Sequence, residues 1–494
     1  MPALDVKALL HQLVYDPKNP LLFNNGFFVY YFALFLLLYY SFRHQVAIRK
    51  WIFCCFSLYF FYKASGYFVL MVIVSAIVDF IISNLIYREQ NHHRKKALLI
   101  TSIVFNLGIL VYFKYTNFFI HLSKDLFQAH FNPLNILLPV GISFYTFENL
   151  SYTIDVYRGE FKPVRKFGDY LLFLSFFPKL VMGPIVRASD FIPQIDKPYY
   201  VSEADFSKGF YLIVSGLFKK LIISDYITLN FVNYIFDEPA RYTGLECLFA
   251  VYGYAIVIYC DFSGYSDVAI GIAKWLGFSI QTNFRSPYQS KNITEFWRRW
   301  HISLSSWLRD YLYIPLGGSR KGKLRTYLNN MITMVLGGFW HGASWNFIIW
   351  GFLHGAALAV NKLWTSNTGS IRKQLDSNGF IQALSILLTF HFTCFCWIYF
   401  RAANFTLASD MIHQITGNFD LSVWRAFFSN YKPVLFMILL GYLLHAIPDG
   451  FPERVVLRLQ RAPLVFYVVA LTVFVLVYGY FKTSEQVLPI YLQF

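Results

Sequence analysis

The stretch TYLNNMITMVLGGFWHGASWNFIIWGFLHGAALAVN, residues 326–361, contains no aspartate, glutamate, lysine or arginine. A membrane-spanning helix needs about 20 apolar residues, so this stretch is longer than one span. Five glycines interrupt it, at Gly337, Gly338, Gly342, Gly351 and Gly355. This pattern predicts a broken or re-entrant segment followed by a membrane span, in place of one straight helix.

The rest of the chain has the same character. Of its 494 residues, 56% are hydrophobic and 14% are charged, against roughly 25% charged in an average soluble domain. This composition excludes disordered, coiled-coil and disulfide-scaffold classes and predicts an all-α polytopic membrane protein with about 11–13 transmembrane or re-entrant helices. The candidate apolar runs are 27–42, 51–62, 66–87, 97–120, 134–153, 169–187, 207–224, 245–275, 326–361, 378–400, 433–448 and 464–481.

The net charge of +16 would suggest a nucleic-acid partner in a soluble protein. In a membrane protein it indicates lysines and arginines held in cytoplasmic loops, so we predict no nucleic-acid partner. The same basic residues could contact anionic membrane lipids or a phosphate-bearing ligand. Placing the basic clusters in the cytoplasm puts the N-terminus on the opposite side. These clusters are Arg43–Lys50, Arg94–Lys96, Lys162–Lys166 and, the largest, Lys291–Arg325.

Residues 293–312, within a polar insertion at about 276–326, are predicted to form one amphipathic helix. At 100° per residue, one face is mostly apolar and the other carries Arg298, Arg299, Arg309 and Asp310. His301 lies at the edge of the apolar face, as a buried hydrogen-bonded histidine or as a functional one. The apolar face consists of Trp297, Trp300, His301, Leu304, Trp307, Leu308 and Tyr311.

His341 and His354 are the only side chains in the 326–361 stretch whose ordinary pKa lies near neutral pH. His341 is near its middle, and an imidazole deep in a bilayer is costly unless it lines a cavity or has a partner. It is therefore a functional candidate. On one continuous helix, His354 would lie about 220° around from His341, which argues against a metal site built from both.

Two carboxylates, Asp261 and Asp267, stand six residues apart in an apolar setting. They could be proton-relay or ion-site groups, although helix-end capping is the simpler interpretation. The sequence has no zinc, phosphate-loop or serine-nucleophile motif, and its six cysteines have no metal-type spacing. We therefore predict no metal and no bound cofactor.

FWRRWHISLSSWLRDYLYIPLGGSRKG at 296–322 and GGFWHGASWNFIIWGFLHG at 337–355 together resemble the membrane-bound O-acyltransferase family. The similarity is to the bacterial branch of alginate O-acetylation and teichoic acid D-alanylation proteins. Supporting stretches include GISFYTFENLSYTIDVYRG at 141–159 and YCDFSGYSDVAIGIAKWLGF at 259–278. The resemblance covers most of 140–360, with one departure at Glu148, where glutamine is expected.

The resemblance implies a ring of helices around a thin, funnel-shaped core, open to the cytoplasm and to the far side of the membrane. It implies a single domain over 1–494. Within that domain, N-terminal helices occupy 1–135, the motif-bearing core with its cytoplasmic insertion 276–326 occupies 136–362, and C-terminal helices occupy 363–494.

The resemblance also implies roles for individual residues. The family's near-invariant histidine falls on His341, and its second motif histidine falls on His301. A neutral imidazole could take the proton of an acceptor hydroxyl during acyl transfer. The insertion would receive the acyl donor, through Arg298, Arg299, Trp300, Arg309 and Trp340. Acceptor-side or structural roles would fall to Asp261, Asp267, Asn346 and His354.

The implied function is O-acetylation of a cell-envelope or exported polysaccharide by a multi-pass protein of the bacterial inner membrane. Acetyl-CoA would be the co-substrate. The implied partner is an extracytoplasmic acetyl-transfer protein, often of SGNH-hydrolase-like fold. The alternatives are D-alanyl or other acyl transfer from a carrier protein, a non-catalytic transporter of a lipid-linked or acylated intermediate, and a non-catalytic subunit of a secretion complex.

Overall fold

The protein is described by a computed structural model. Its described residues form helices joined by irregular connections, and no β-strand occurs among them. Residues 1–11, which hold the N-terminus whose orientation the charge pattern predicts, lie outside this part of the chain. The described residues are 12–23, 25–128, 131–368, 377–448, 450–481 and 487–492.

The chain divides into two compact units, and the first comprises Met1–Phe206 and Ile272–Gln281. Its helices are α1 (Gly26–Ser41), α2 (Val46–Ser65), α3 (Val69–Arg88), α4 (His92–Phe127), α5 (Ile142–Arg158), α6 (Phe167–Ser175), α7 (Phe177–Leu180) and α8 (Ala188–Ile195).

The second unit comprises Ser207–Gly271 and Thr282–Phe494. Two of its helices, α9 and α12, also carry residues of the first unit. The helices are α9 (Glu203–Leu217), α10 (Asp225–Ile227), α11 (Asn233–Asp237), α12 (Gly244–Trp275), α13 (Ile293–Arg299), α14 (Ile302–Leu308), α15 (Lys323–His341), α16 (Trp345–Asn367), α17 (Gly379–Arg401), α18 (Phe405–Gly417), α19 (Trp424–Asn430), α20 (Lys432–His445), α21 (Gly450–Gln460) and α22 (Leu464–Phe481).

Six helices among the described residues are long and apolar enough to cross a membrane, or seven if the bent pair α19 and α20 forms one span. The prediction of an all-helical, polytopic membrane protein is confirmed. Several of the predicted apolar runs form shorter helices: 134–153 contains most of α5, and 169–187 contains most of α6 and all of α7. The six are Val46–Arg88, His92–Phe127, Gly244–Trp275, Trp345–Asn367, Gly379–Arg401 and Leu464–Phe481.

Asparagine side chains determine where several helices begin. Each accepts a hydrogen bond from a backbone N–H of the first helical turn, which has no partner within the helix. Such a cap stabilises a helix start by about 1 kcal/mol over alanine. The capping residues are Asn25, Asn91, Asn292, Asn378 and Asn404.

Phenylalanine packing accounts for part of the aromatic richness. The ring of Phe177, fully buried in the first unit, has seven phenylalanine rings of preceding segments within 6.5 Å of its centroid. Aromatic pairs at such distances contribute about 0.5–1.5 kcal/mol beyond the area they bury. The seven are Phe23, Phe28, Phe32, Phe35, Phe53, Phe56 and Phe60.

The first unit also buries carboxylates that are paired with hydrogen-bond donors. The Lys179 ammonium lies 2.7 Å from the Glu148 carboxylate, whose other oxygen accepts the Val186 N–H at 3.1 Å. Both side chains are 3% exposed or less. Glu148, where the family resemblance predicts glutamine, therefore forms a buried ion pair with Lys179.

A second buried carboxylate, Asp79 on α3, accepts hydrogen bonds from Ser102 at 2.5 Å, Asn106 at 2.7 Å and Thr153 at 3.3 Å. The donors come from α4 and α5, so one carboxylate joins three helices. Hydrogen bonds of this kind hold helices together inside a membrane, where packing of apolar surface gives no net drive.

The decisive 326–361 stretch is broken as predicted. Helix α15 ends at His341, and α16 begins at Trp345. The two helices pack backbone against backbone: a Cβ added at Gly338 would lie 2.2 Å from the Phe347 carbonyl oxygen, and one at Gly351 would lie 2.4 Å from that of Met334. Only glycine fits at these two positions, and the contact fixes His341 at the turn between the helices.

Candidate functional site

The structure corrects the predicted single helix over 293–312. Two short helices, α13 and α14, are separated by a break at Trp300 and His301, and π-helical turns follow over Arg309–Tyr313. An extended segment that precedes α13 stabilises the break through two backbone hydrogen bonds. The Arg285 N–H donates to the Arg299 carbonyl, and the Ile302 N–H donates to the Asn283 carbonyl, each at 2.9 Å. The spacing of apolar residues does not reveal this break, because the segment that hydrogen-bonds to it lies ten or more residues earlier in the chain.

His301 occupies the break with a left-handed backbone, φ +42°, and its side chain is fully buried. Its Nδ1 lies 3.3 Å from Asn283 Oδ1. That oxygen also accepts the backbone N–H of Ser303 at 3.1 Å, which fixes the orientation of the amide. Since an amide oxygen only accepts, His301 carries its proton on Nδ1 and presents the Nε2 lone pair.

The Nε2 atom of His301 is buried and has no hydrogen-bond partner within the described part of the chain. Burial lowers the pKa of His301 to about 3, because a charged imidazolium would lose its hydration. The side chain is therefore a neutral imidazole across the physiological pH range.

His341, the last residue of α15, is 3% exposed and lies among aromatic rings. Its ring centroid is 4.9 Å from that of Trp340, 5.2 Å from those of Trp350 and Phe400, and 5.4 Å from that of Tyr491. Three of these contacts come from other segments than α15. The imidazole is thus held rigidly at the break between α15 and α16.

Tyr491 brings the two predicted histidines into one cluster. Its ring lies 5.4 Å from His341 and 6.2 Å from His301, and Trp340 contacts both imidazoles as well. We call His301, Trp340, His341 and Tyr491 the histidine cluster. Sequence reasoning missed Tyr491, since no motif or periodic pattern surrounds residues 487–492.

Asp261 anchors the segment that carries Tyr491. One carboxylate oxygen accepts the Ile490 N–H at 2.9 Å, and the other lies 2.5 Å from the Lys220 ammonium. Lys220 also pairs with Asp225 at 2.8 Å. Asp261 is 1% exposed and lies in the interior of α12, so the helix-end capping predicted for it is wrong.

Asp267 is likewise inside α12 and forms an ion pair with Lys219, so capping is wrong for it too. Lys219 and Lys220 lie on π-helical turns over Phe218–Ser224, which present both ammonium groups to α12. A π-helical turn gives no signal in apolar periodicity, so these ion-pair partners cannot be predicted from the sequence.

Asn346 and His354, both on α16, have separate surroundings. Asn346 donates through Nδ2 to the Ala402 carbonyl at 2.8 Å, which ties the start of α16 to the end of α17. His354 is fully buried, and its Nδ1 accepts the indole N–H of Trp297 at 3.3 Å. Trp350 lies between the two histidines, 5.2 Å from His341 and 4.7 Å from His354.

The residues predicted to bind the donor are dispersed. Arg299 pairs with Glu295 at 2.7 Å and Arg309 pairs with Asp310 at 2.6 Å, while Arg298 is exposed. Trp300 is buried against Trp397, with the ring centroids 5.0 Å apart. Only Trp340 of this set belongs to the histidine cluster. Within the described ranges no three His, Cys, Asp or Glu side chains are grouped as metal ligands.

Comparison with known proteins gives the relatives of the chain. Residues 165–402 match the sequence profile of the membrane-bound O-acyltransferase family. The chain is 37% identical to the peptidoglycan O-acetyltransferase of Helicobacter pylori over 65% of its own length and 64% of that protein. It is 40% identical to a probable alginate O-acetylase of Pseudomonas aeruginosa, over 66% of its own length and 61% of that protein.

A third relative is the teichoic acid D-alanyltransferase of Bacillus subtilis, 32% identical over 56% of the chain and 72% of that protein. The matches to the two O-acetylases span less than two thirds of their length. The profile match contains the break at His301 and the turn at His341, so the histidine cluster lies largely inside the shared region. The chain therefore belongs to the membrane-bound O-acyltransferase family.

Proposed function

We propose that the protein is an O-acyltransferase that moves an acetyl group to a cell-envelope or exported polysaccharide. The observation that carries this proposal is the histidine cluster, in which two buried imidazoles from separate segments contact the same tyrosine and tryptophan. Acyl transfer to a hydroxyl requires a base that is neutral before reaction and a pocket that excludes water. Both requirements agree with the burial of the two side chains.

His341 is the proposed general base. As the acceptor oxygen attacks the thioester carbonyl carbon, the imidazole takes the hydroxyl proton. The carbon–sulfur bond then breaks, and the proton passes to the leaving thiolate. No serine or cysteine nucleophile is needed when donor and acceptor meet in one site, and the reaction balances without an oxidant or a metal.

His301 has a different proposed role. Its low pKa makes it a poor base at neutral pH, because base catalysis is most effective with a pKa near the working pH. Its Nε2 lone pair suits it to accept a hydrogen bond from an amide of the donor or from the acceptor hydroxyl. We therefore assign it to positioning of a substrate.

Acetyl-CoA is the proposed donor, supported by the identities of 37% and 40% to O-acetylases against 32% to a D-alanyltransferase. The donor would enter from the cytoplasm beside the basic insertion, with the N-terminus on the opposite side of a bacterial inner membrane. The proposed partner is an extracytoplasmic acetyl-transfer protein, such as one of SGNH-hydrolase-like fold, that completes transfer to the polysaccharide.

The proposal is tested with radiolabelled acetyl-CoA and the purified protein in liposomes. We expect the wild-type protein to release or transfer label and His341→Ala to do neither. His391→Ala is the matched control, because His391 is an exposed histidine whose Nε2 lies 2.9 Å from the Tyr252 hydroxyl. Equal label transfer by wild type and His341→Ala would refute the assignment. Turnover of a D-alanyl carrier protein but not of acetyl-CoA would replace the proposed donor.

A further inference from the structure

Two tryptophans of the second unit stack on each other but differ in the use of their indole N–H groups. Trp350 on α16 and Trp397 on α17 are at most 1% exposed, and their ring centroids lie 6.1 Å apart at an interplanar angle of 22°. The Trp397 N–H donates to the Tyr288 hydroxyl at 3.2 Å, and that hydroxyl donates to the Ala255 carbonyl at 2.6 Å. The Trp350 N–H is buried and has no hydrogen-bond partner within the described ranges. Because an unpaired buried N–H costs free energy, this group indicates an acceptor that comes from outside the chain.

His354, one helical turn after Trp350, has a second unused N–H. Its Nδ1 accepts the Trp297 indole N–H at 3.3 Å, and a neutral imidazole has one acceptor nitrogen and one N–H. The proton of His354 is therefore on Nε2, which is buried and also has no partner among the described residues. Residues four apart lie on the same face of a helix, and the ring centroids of Trp350 and His354 are 4.7 Å apart. Helix α16 thus carries two neighbouring N–H donors without acceptors.

The two donors lie between the proposed base and the insertion. His341 is at the turn before α16, and its ring centroid is 5.2 Å from that of Trp350. Near its other end, α16 is tied to the insertion, where Asn361 Nδ2 donates to Thr294 Oγ1 at 2.7 Å. A ligand that enters beside the insertion therefore meets His354 first, then Trp350, and then the proposed base.

A thioester donor has the acceptors that these two groups require. Carbonyl oxygens, of the thioester itself and of amides in the arm that carries it, accept hydrogen bonds and do not donate. A cation would be repelled by two N–H groups. The thioester carbonyl oxygen also gains negative charge when a hydroxyl attacks its carbon. In a site that excludes water, a fixed N–H at that oxygen stabilises the charge far more than water does.

We propose that the Trp350 indole N–H binds the thioester carbonyl oxygen of the acyl donor, and that the His354 Nε2–H binds an amide carbonyl of the same donor. This inference rests on the proposed acyl transfer, to which it adds the group that stabilises the oxyanion. When the acceptor oxygen bonds to the carbonyl carbon, the carbonyl electron pair moves to the oxygen held by Trp350. The pair returns as the carbon–sulfur bond breaks, and the leaving thiolate takes the proton from His341. Trp350 is thus a catalytic residue, and His354 binds the donor.

The first test compares Trp350→Phe with Trp397→Phe, since each removes one buried indole N–H from the same stack. Release or transfer of label from acetyl-CoA is measured in liposomes. We expect Trp350→Phe to lower kcat about 10²- to 10³-fold, the usual loss of one oxyanion donor, with little change in the KM for acetyl-CoA. Trp397→Phe should keep a kcat close to that of wild type. Equal kcat values for the two variants overturn the proposal.

A second variant separates the N–H group from the packing of the ring. Benzothienylalanine at position 350 keeps both rings and replaces the N–H by sulfur, so it leaves no cavity. We expect it to lose as much kcat as Trp350→Phe does. A wild-type kcat with benzothienylalanine overturns the role of the N–H.

His354 is tested through the affinity for the donor. His354→Phe keeps an aromatic ring and removes the Nε2–H, so we expect the KM for acetyl-CoA to rise about 5- to 10-fold, the loss of one hydrogen bond. The kcat should stay close to that of wild type, in contrast to Trp350→Phe. An unchanged KM overturns the role given to His354.

An infrared measurement needs no turnover. Acetyl-CoA labelled with ¹³C at the thioester carbonyl is bound to His341→Ala protein with and without Trp350→Phe. A hydrogen bond weakens the carbonyl bond, so we expect a lower stretching frequency in His341→Ala than in the double variant. This difference without any transfer by wild type supports the donor site, and only the proposed function then fails. The same frequency in both proteins overturns the assignment of Trp350.

Discussion

The two buried polar regions of this protein differ in how completely their hydrogen bonds are satisfied. In the first unit, both oxygens of Glu148 and both oxygens of Asp79 accept hydrogen bonds from neighbouring segments. Around the histidines of the second unit, the His301 Nε2, the His354 Nε2 and the Trp350 indole N–H have no partner within the described residues. Since an unpaired buried polar atom costs free energy, the paired carboxylates of the first unit serve the fold, and the unpaired atoms of the second are those open to the proposed substrate.

The largest expected effect separates the two regions by activity. His341→Ala should lower acetyl transfer by about 10²- to 10⁴-fold, the usual contribution of a general base. Because its neighbours are aromatic rings, the thermal unfolding midpoint should fall far less than activity does. Both are measured on the same detergent-solubilised samples. If folded protein is lost in parallel with activity, His341 has a structural role, and the contrast between the two buried regions does not hold.

Breaking the Glu148–Lys179 pair should lower stability more than it lowers activity. Lys179→Met leaves a buried carboxylate without its counter-charge and should destabilise the protein by about 3–5 kcal/mol. The double variant Glu148→Gln with Lys179→Met should recover most of that loss, since no charge then remains unpaired. Unfolding by denaturant reports the free energies. Failure of the double variant to recover stability would contradict a purely structural pair.

Acid should act on the second unit through His301. Its pKa is about 3 in the folded protein, against about 6.5 for an unperturbed histidine, so below pH 6.5 protons bind preferentially to the unfolded chain. The contribution to stability is complete above pH 6.5 and is lost toward pH 3, by about 1.4 kcal/mol per pH unit. Between pH 7.5 and 5, the unfolding midpoint of wild type should therefore fall more than that of His301→Asn. Parallel pH curves for both proteins would show that His301 is not buried as a neutral group.

The smallest expected effect concerns His354. Trp297→Phe removes the indole N–H that His354 accepts at 3.3 Å and keeps an aromatic ring in place. We expect a loss of stability of about 1 kcal/mol or less and a change of activity below about 10-fold. Trp307→Phe, at a buried tryptophan of the same insertion, serves as the reference substitution. A loss comparable to that of His341→Ala would place His354 in the chemistry.

Much of the fold follows from local composition. The charge-free 326–361 stretch predicts its own break, because three of the glycines in it, Gly338, Gly351 and Gly355, are positions at which α15 and α16 touch. His341 stands out by the same argument, as an imidazole with no charged neighbour in sequence. Features that depend on residues distant in sequence cannot be predicted from local composition. The break at His301 depends on Asn283, the pairing of Asp261 depends on Lys220, and Tyr491 belongs to the cluster only through the anchoring of Ile490.

The left-handed backbone at His301 also constrains how this position can change over evolutionary time. A φ of +42° is tolerated readily by glycine, asparagine and aspartate, whereas β-branched residues are strained there. Asparagine and aspartate are single-base neighbours of the histidine codons. These two single-base replacements therefore preserve the backbone while removing the imidazole, so a lineage can lose the proposed role of this position in one step and retain the folded protein. We expect family members that have lost acyl transfer to carry asparagine or aspartate here more often than alanine or leucine.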